Sequence, residues 1–273
     1  MINFSELLWK PQEASPQRTR PRVERQPDPG RHARLSALPK LEVEVTEESR
    51  IVLGKSNSIE RDRFRYLRTR LHEVRELAGL QTLLITSPLP QDGKSTIVLN
   101  LAATLAERGK RSVLIIEADL HRPSISLRLG LKPTDPLVAT GLGQCLRDKL
   151  NPLSYVSKLN PLDCYLLPAG KQVEDPTELV QSEAWGEIVD QLTPHFDWIL
   201  VDSPPLVPLA DGVSLLKKCD ASLLVVRAHQ TPKEMVKQAL GLLGKRNVLG
   251  VLFNASETVN ETYAKYGSYY AET

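Results

Sequence analysis

From about Ile59 onward, short runs that are apolar at successive positions alternate with longer stretches whose apolar residues recur at helical spacing. The runs predict strands at Thr82–Thr86, Val113–Ile116, Tyr165–Leu167, Trp198–Val201, Leu223–Val226 and Val248–Phe253. Side chains on a strand alternate between faces, so an unbroken apolar run marks a strand covered on both sides, as in parallel sheets. Between the runs the periodicity predicts helices over 59–78, 94–108, 177–193, 210–218 and 232–246, with Gly109 and Gly250 as punctuation. Strands alternating with helices of this length build βαβ units. The expected fold is α/β: a doubly wound, mostly parallel sheet with helices on both faces. No internal repeat is visible.

Residues 10–40 follow neither period. They hold six prolines and eight Lys or Arg against three acids, with almost no large apolar side chains. Such a stretch buries too little to offset its ordering entropy and predicts a disordered, basic arm. The expected organisation is a Pro-rich basic arm over 1–45, a folded domain over 46–258 and a flexible tail over 259–273. Met1–Trp9, with Phe4, Leu7, Leu8 and Trp9, reads either as an amphipathic turn that docks on a partner or as a frayed terminus.

Composition narrows the class. Of 273 residues, 41% are hydrophobic and 25% charged, which excludes wholesale disorder, and the length suits one or two domains. The net charge of +2 points to no polyanionic partner, and a nucleic-acid role would rest on the arm alone, so none is expected. Cys145, Cys164 and Cys219 are odd in number and widely spaced, which suits a reducing compartment rather than a disulfide framework or a CxxC site. No apolar run approaches the ~18–20 residues that span a bilayer, and the start lacks a basic segment followed by an apolar one. A cytoplasmic protein is expected. The five histidines have no ligand spacing and no GxSxG occurs, so neither metal-cluster nor triad chemistry is indicated.

The strongest chemical signal is Ser87-Pro-Leu-Pro-Gln-Asp-Gly-Lys-Ser-Thr96, which follows a predicted strand and opens an apolar-periodic helix. That is the context a phosphate loop requires. Backbone N–H groups at a helix start point at an anion and carry the positive end of the helix dipole. Gln91, Asp92, Gly93, Lys94, Ser95 and Thr96 are therefore candidate ATP-binding residues. Lys94 would sit between the β- and γ-phosphates, and the Ser95 hydroxyl would ligate Mg²⁺. Pro88 stands where GxxxxGK[ST] has its first glycine. Glu117 and Asp119 follow one apolar strand and Asp202 follows another. Open α/β sheets bind ligands beyond the carboxyl ends of their strands, so these acids should converge on the Lys94 loop. There a cation would offset the cost of burying them. Taken singly, Asp119 and Asp202 also suit helix N-caps.

Together, SxxPxxGKST, the Glu117-Ala-Asp-Leu-His-Arg-Pro123 segment, the strand ending in Asp202-Ser-Pro-Pro205 and a tyrosine-rich tail resemble the bacterial tyrosine kinases (BY-kinases) of capsular and exopolysaccharide systems. These belong to the P-loop ATPase class. The likeness spans about residues 59–273. It implies ATP and Mg²⁺ as cofactors, Asp119 and Asp202 ordering the metal's water shell, and Glu117 assisting deprotonation of an incoming tyrosine. Lys94, Glu117, Asp119 and Asp202 are the implied catalytic set, and Asn254 the implied adenine contact. The resemblance also implies autophosphorylation between subunits and regulation of polysaccharide synthesis or export. A separate membrane activator of the chain-length or co-polymerase type would recruit the chain to the inner face of the membrane.

Three residues depart from the family's pattern: Glu117 where Asp is usual, His121 where Arg is usual, and Gln91 where Gly is usual. They keep open an ATP-binding switch or positioning ATPase, or a scaffold that binds nucleotide without transferring phosphate. Four of the seven tyrosines, Tyr263, Tyr266, Tyr269 and Tyr270, fall within eight positions among small and polar residues. They read as a phosphoacceptor cluster, by the resemblance, or as an aromatic docking patch. Over Ile59–Leu71 an apolar stripe at 64, 67 and 71 backs a charged face. Asp62, Arg65 and Arg68 on that face resemble the family's E-x-x-R-x-x-R subunit-contact motif. They read equally as a solvated, salt-bridged face.

Overall fold

The computed structural model describes residues 29–46, 49–52, 58–132, 134–209 and 211–255. Among these, eight strands form one sheet: β1 (Lys40–Glu42), β2 (Thr82–Thr86), β3 (Val113–Glu117), β4 (Ser157–Asn160), β5 (Cys164–Leu167), β6 (Trp198–Asp202), β7 (Ala221–Arg227) and β8 (Val248–Asn254). Their order is β1-β4-β5-β3-β6-β2-β7-β8, and every neighbouring pair is parallel except β4 with β5. The helices are α1 (Pro29–Ser36), α2 (Ile59–Ala78), α3 (Lys94–Leu105), α4 (Ile125–Arg128), α5 (Pro136–Ala139), α6 (Leu142–Asp148), α7 (Pro176–Gln181), α8 (Glu183–Leu192), α9 (Asp211–Leu216) and α10 (Lys233–Leu243).

The continuous apolar runs divide by parity. Leu83, Ile85, Val113, Ile115 and Leu200 join a core with Phe64, Leu67 and Leu71 of α2 and Ile97, Leu101 and Leu105 of α3. Leu84, Leu114, Ile116, Ile199 and Val201 join a second core with Trp185, Ile188, Val189 and Leu192 of α8. The sheet is thus covered on both faces, and a polar residue at either parity would face a dry layer. The α2 stripe predicted at 64, 67 and 71 is the buried one. This helix starts at Ser58, whose hydroxyl accepts from Arg61 N at 3.3 Å, and stops at Gly79, where φ is +70°. Among the described residues no helix is long and apolar enough to cross a membrane.

Several boundaries differ from expectation. The helix predicted over 94–108 stops at Leu105, because Glu107, Arg108 and Gly109 all take positive φ. The stretch 177–193 is two helices, α7 and α8, parted at the extended Ser182. The larger correction concerns the arm expected over 1–45, which is folded from Pro29 onward. Leu35, Leu41 and Val43 are buried, β1 pairs with β4, and Arg31 on α1 meets Asp197 at 3.1 Å. Average composition concealed this. Three strand residues borrow a ladder from β4, and one arginine finds a carboxylate far away in sequence. Met1–Trp9 and the tail with Tyr263, Tyr266, Tyr269 and Tyr270 lie outside the described residues.

Candidate functional site

Three strand ends and one loop build the site. β2 runs into the loop 87–93, and α3 begins at Lys94. The segment after β6 is strapped to that loop. Ser203 N donates to Ile85 O, Leu206 N to Ser87 O and Val207 N to Pro88 O, at 2.9–3.2 Å. Inside the loop, Asp92 is buried and acts as a hub. Its carboxylate accepts from Leu89 N at 3.0 Å and from Thr231 Oγ1 at 2.7 Å, and burial pushes its pKa above the ordinary range. Gln91 takes φ +66° and Gly93 φ +99°. At Gly93 an added Cβ would also overlap the Asn254 amide, which donates to Asp92 O at 2.9 Å. Only glycine satisfies both demands there.

The lysine and two carboxylates meet as expected. Lys94 Nζ lies 3.0 Å from Asp119 Oδ2 and 3.9 Å from Asp202 Oδ1. Ser95 Oγ donates to Asp202 Oδ2 at 2.8 Å and receives a bond from Ser124 Oγ at 2.8 Å. The other oxygen of Asp119 accepts from Arg122 N at 3.0 Å. Burial alone would lower the Lys94 pKa, but Asp202 and Asp119 reverse this and hold the ammonium above its usual value. Asp202 is wholly buried, and burial pushes its carboxyl up to about 6 against the pull of Lys94 and Ser95. Its Oδ1 has no hydrogen-bond partner among the described residues. A buried carboxylate oxygen with no hydrogen bond, and only the Lys94 ammonium 3.9 Å away, beside a hydroxyl and a second carboxylate is a donor set for a hard divalent cation that keeps few protein ligands.

Glu117 has a different environment. Also wholly buried, it accepts from Ile125 N (2.6 Å), Ser126 N (3.2 Å), Ser126 Oγ (2.7 Å) and Ala169 N (3.2 Å). Both oxygens are committed to holding the start of α4 and the loop after β5. The proton-accepting role that the resemblance implies for Glu117 would require at least one of these bonds to open. Asn254 stands behind the loop as its brace, and Thr96 lies within the first turn of α3. Asp62 and Arg65 pair with each other along α2 at 3.1 Å, both well exposed.

Sequence reasoning missed Ser124, Ser126 and Thr231. Thr231 was the most legible, because it lies just past the carboxyl end of β7. It also missed Asp211, which is buried and contacts His121 Nε2 at 2.8 Å and Thr177 Oγ1 at 3.2 Å. The side chain at 121 thus ties the loop after β3 to α9.

The family model described as "Cellulose biosynthesis protein BcsQ" matches residues 91–260. Tyrosine-protein kinase YwqD of Bacillus subtilis (strain 168) is 29% identical over 221 residues, covering 80% of this chain and 90% of the relative. Tyrosine-protein kinase CpsD of Streptococcus pneumoniae is 30% identical over 199 residues, covering 71% and 85%. Among solved structures, the kinase domain of Escherichia coli tyrosine kinase ETK superposes with a TM-score of 0.69 at 24% identity, covering 77% of this chain and 80% of that one. With a BcsQ-type domain and relatives of this kind matched over most of their length, the chain belongs to the bacterial tyrosine kinase family of capsular and exopolysaccharide biosynthesis, within the P-loop ATPase class.

Proposed function

We propose that this chain is a Mg-ATP-dependent protein-tyrosine autokinase that phosphorylates Tyr263, Tyr266, Tyr269 and Tyr270 between subunits and thereby regulates exopolysaccharide or capsule synthesis or export. The observation that carries the reading is the under-satisfied Asp202, buried beside Ser95 and Lys94 at the mouth of a helix. Such a site gains from binding a cation and a polyphosphate together.

In this reading the backbone of 91–96 cradles the phosphates, and Lys94 leaves its carboxylates to neutralise the β- and γ-phosphoryl oxygens. Ser95, Asp119 and Asp202 would hold magnesium, which would supply neutralisation of the phosphate charge. Asn254 and Asp92 keep the loop in its anion-binding shape, and Asn254 is also the proposed adenine contact. Catalysis is mostly positioning and charge neutralisation. A tail tyrosine from a neighbouring copy reaches the site, and each phosphate added contributes about −1.5 to −2 charge that favours its departure.

Assembly into a homo-oligomer through Asp62, Arg65 and Arg68 supplies that neighbour. A membrane activator of the co-polymerase type holds the assembly at the inner face of the membrane. Neither step involves nucleic acid. The test is incubation of the full chain with Mg-ATP, with and without an activator fragment, followed by mass spectrometry of the tail. Phosphotyrosine at 263–270 that disappears in Lys94→Ala is expected; its absence under both conditions rejects the reading.

A further inference from the structure

The sheet divides charge between its two rims. Its carboxyl rim carries the loop 87–93 and the buried acids Glu117, Asp119 and Asp202. Strands β3, β6, β2, β7 and β8 are neighbours and all parallel, so the loops that enter them share the opposite, amino rim. Three of those loops are basic. Arg108, Lys110 and Arg111 lead into β3, Lys217 leads into β7, and Lys245 and Arg246 lead into β8. All six are exposed, and none forms an ion pair among the described residues.

The acids of this rim are mostly engaged elsewhere. Glu107 meets His72 at 3.0 Å and Asp197 meets Arg31 at 3.1 Å. Asp220 accepts from Gln81 N at 2.8 Å and Thr82 N at 2.7 Å, while Glu76 is exposed near the end of α2. Six unpaired cations on one rim of a chain whose net charge is +2 mean that charge is segregated. The loops are also held in shape. Arg111 N closes onto Ala106 O at 3.1 Å, the Asp197 carboxylate accepts from Ser112 N at 2.8 Å, and Asn247 Nδ2 donates to Leu243 O at 2.7 Å. Neighbouring strands lie about 4.8 Å apart, so four spacings set the outermost basic loops about 19 Å from each other. Cations spread over that width match a plane of many anions better than one small ligand, which needs donors that converge.

We infer that this amino rim docks on anionic phospholipid, with the phosphate loop on the far side and open to solution. Each basic residue near an anionic leaflet strengthens binding about fivefold. A nucleic acid offers similar phosphates, but the three basic loops carry no aromatic residue on which a base could stack. Docking of this kind needs no phosphate transfer and stands whether or not the chain is an autokinase.

The full chain is sedimented with vesicles of equal parts phosphatidylcholine and phosphatidylglycerol, and separately with vesicles of phosphatidylcholine alone. Binding to the mixed vesicles is expected to be tighter by about tenfold or more and to weaken as salt is raised. Lys110→Gln with Lys245→Gln takes one charge from each outer loop and should weaken that binding about 25-fold. Lys171→Gln with Lys233→Gln removes equal charge from exposed positions beyond the carboxyl ends of β5 and β7, and should weaken it no more than about twofold. Melting temperatures of the two double variants serve as the folding check. Equal binding to both kinds of vesicle, or equal weakening by the two double variants, overturns the inference. So does binding to a mixed-sequence DNA duplex with none to the mixed vesicles, which would assign the rim to nucleic acid.

Discussion

Glu117 and Asp202 end adjacent strands, face each other in register, and are equally sealed from water. One is saturated with four donors, while the other keeps an oxygen with no hydrogen-bond partner among the described residues. Burying a carboxylate costs several kcal/mol unless hydrogen bonds or charge replace its water. At the end of β3 the protein supplies that replacement itself and gains a rigid α4. At the end of β6 it leaves the replacement incomplete, a shortfall that the metal role proposed for Asp202 would make good. Two acids in the same kind of sequence context thus divide into a fastener and a receptor.

The sharpest way to break this comparison is to neutralise each acid in turn. Asp202→Asn is expected to lower the rate of tail phosphorylation by about 10²–10³-fold. It should leave the melting temperature of the nucleotide-free protein equal or higher, since a buried charge has been removed. Glu117→Ala should do the reverse in stability. Each buried group left unpaired costs about 1–3 kcal/mol, so a net loss of about 3 kcal/mol, or roughly 6–12 °C in Tm, is expected by thermal melts. If Asp202→Asn unfolds the protein and Glu117→Ala does not, the division is wrong.

A pH series refines the comparison without altering Glu117. The folded pKa of Asp202, about 6, lies above the ordinary 3.8, so the folded state binds the extra proton between those values. Its contribution is therefore most favourable below pH ~4 and is lost as pH rises through 6, a swing of about 3 kcal/mol for two units. Nucleotide-free wild type should lose stability over that window relative to Asp202→Asn, and the two curves should run parallel above it. Flat difference curves would deny Asp202 its under-satisfied state. The smallest effect is expected far from the sheet rim. The exposed Asp62–Arg65 pair is worth no more than ~0.5 kcal/mol to the fold, so Arg65→Ala should leave Tm unchanged. A drop in self-association by sedimentation velocity in that variant would mark the pair as a subunit contact.

How legible each part was follows from the range of the forces behind it. Strands β2, β3, β6 and β7 announce themselves because burial on both faces leaves mostly apolar residues tolerable along a whole run. The phosphate loop announces itself because a tight turn, a positive φ and a charge must fall at fixed offsets. Strand β1 and helix α1 did not. Lys40–Glu42 has no pattern of its own and is a strand only because Ser157–Asn160 lies beside it. Arg31 reads as one more basic residue until Asp197 is brought to it. Likewise, nothing near Ser124 or Thr231 in sequence says that each will meet the loop.

The amino-acid order alone determined the layered α/β architecture and the gathering of Lys94, Ser95, Asp119 and Asp202 at one rim, because hydrophobic period and local turn geometry act within a few residues. Tertiary structure alone decided which buried acid is satisfied and which is left wanting. Hydrogen-bond saturation depends on donors 8 or 52 residues away, such as those Glu117 draws from Ile125 and Ala169, and chain order does not encode their arrival.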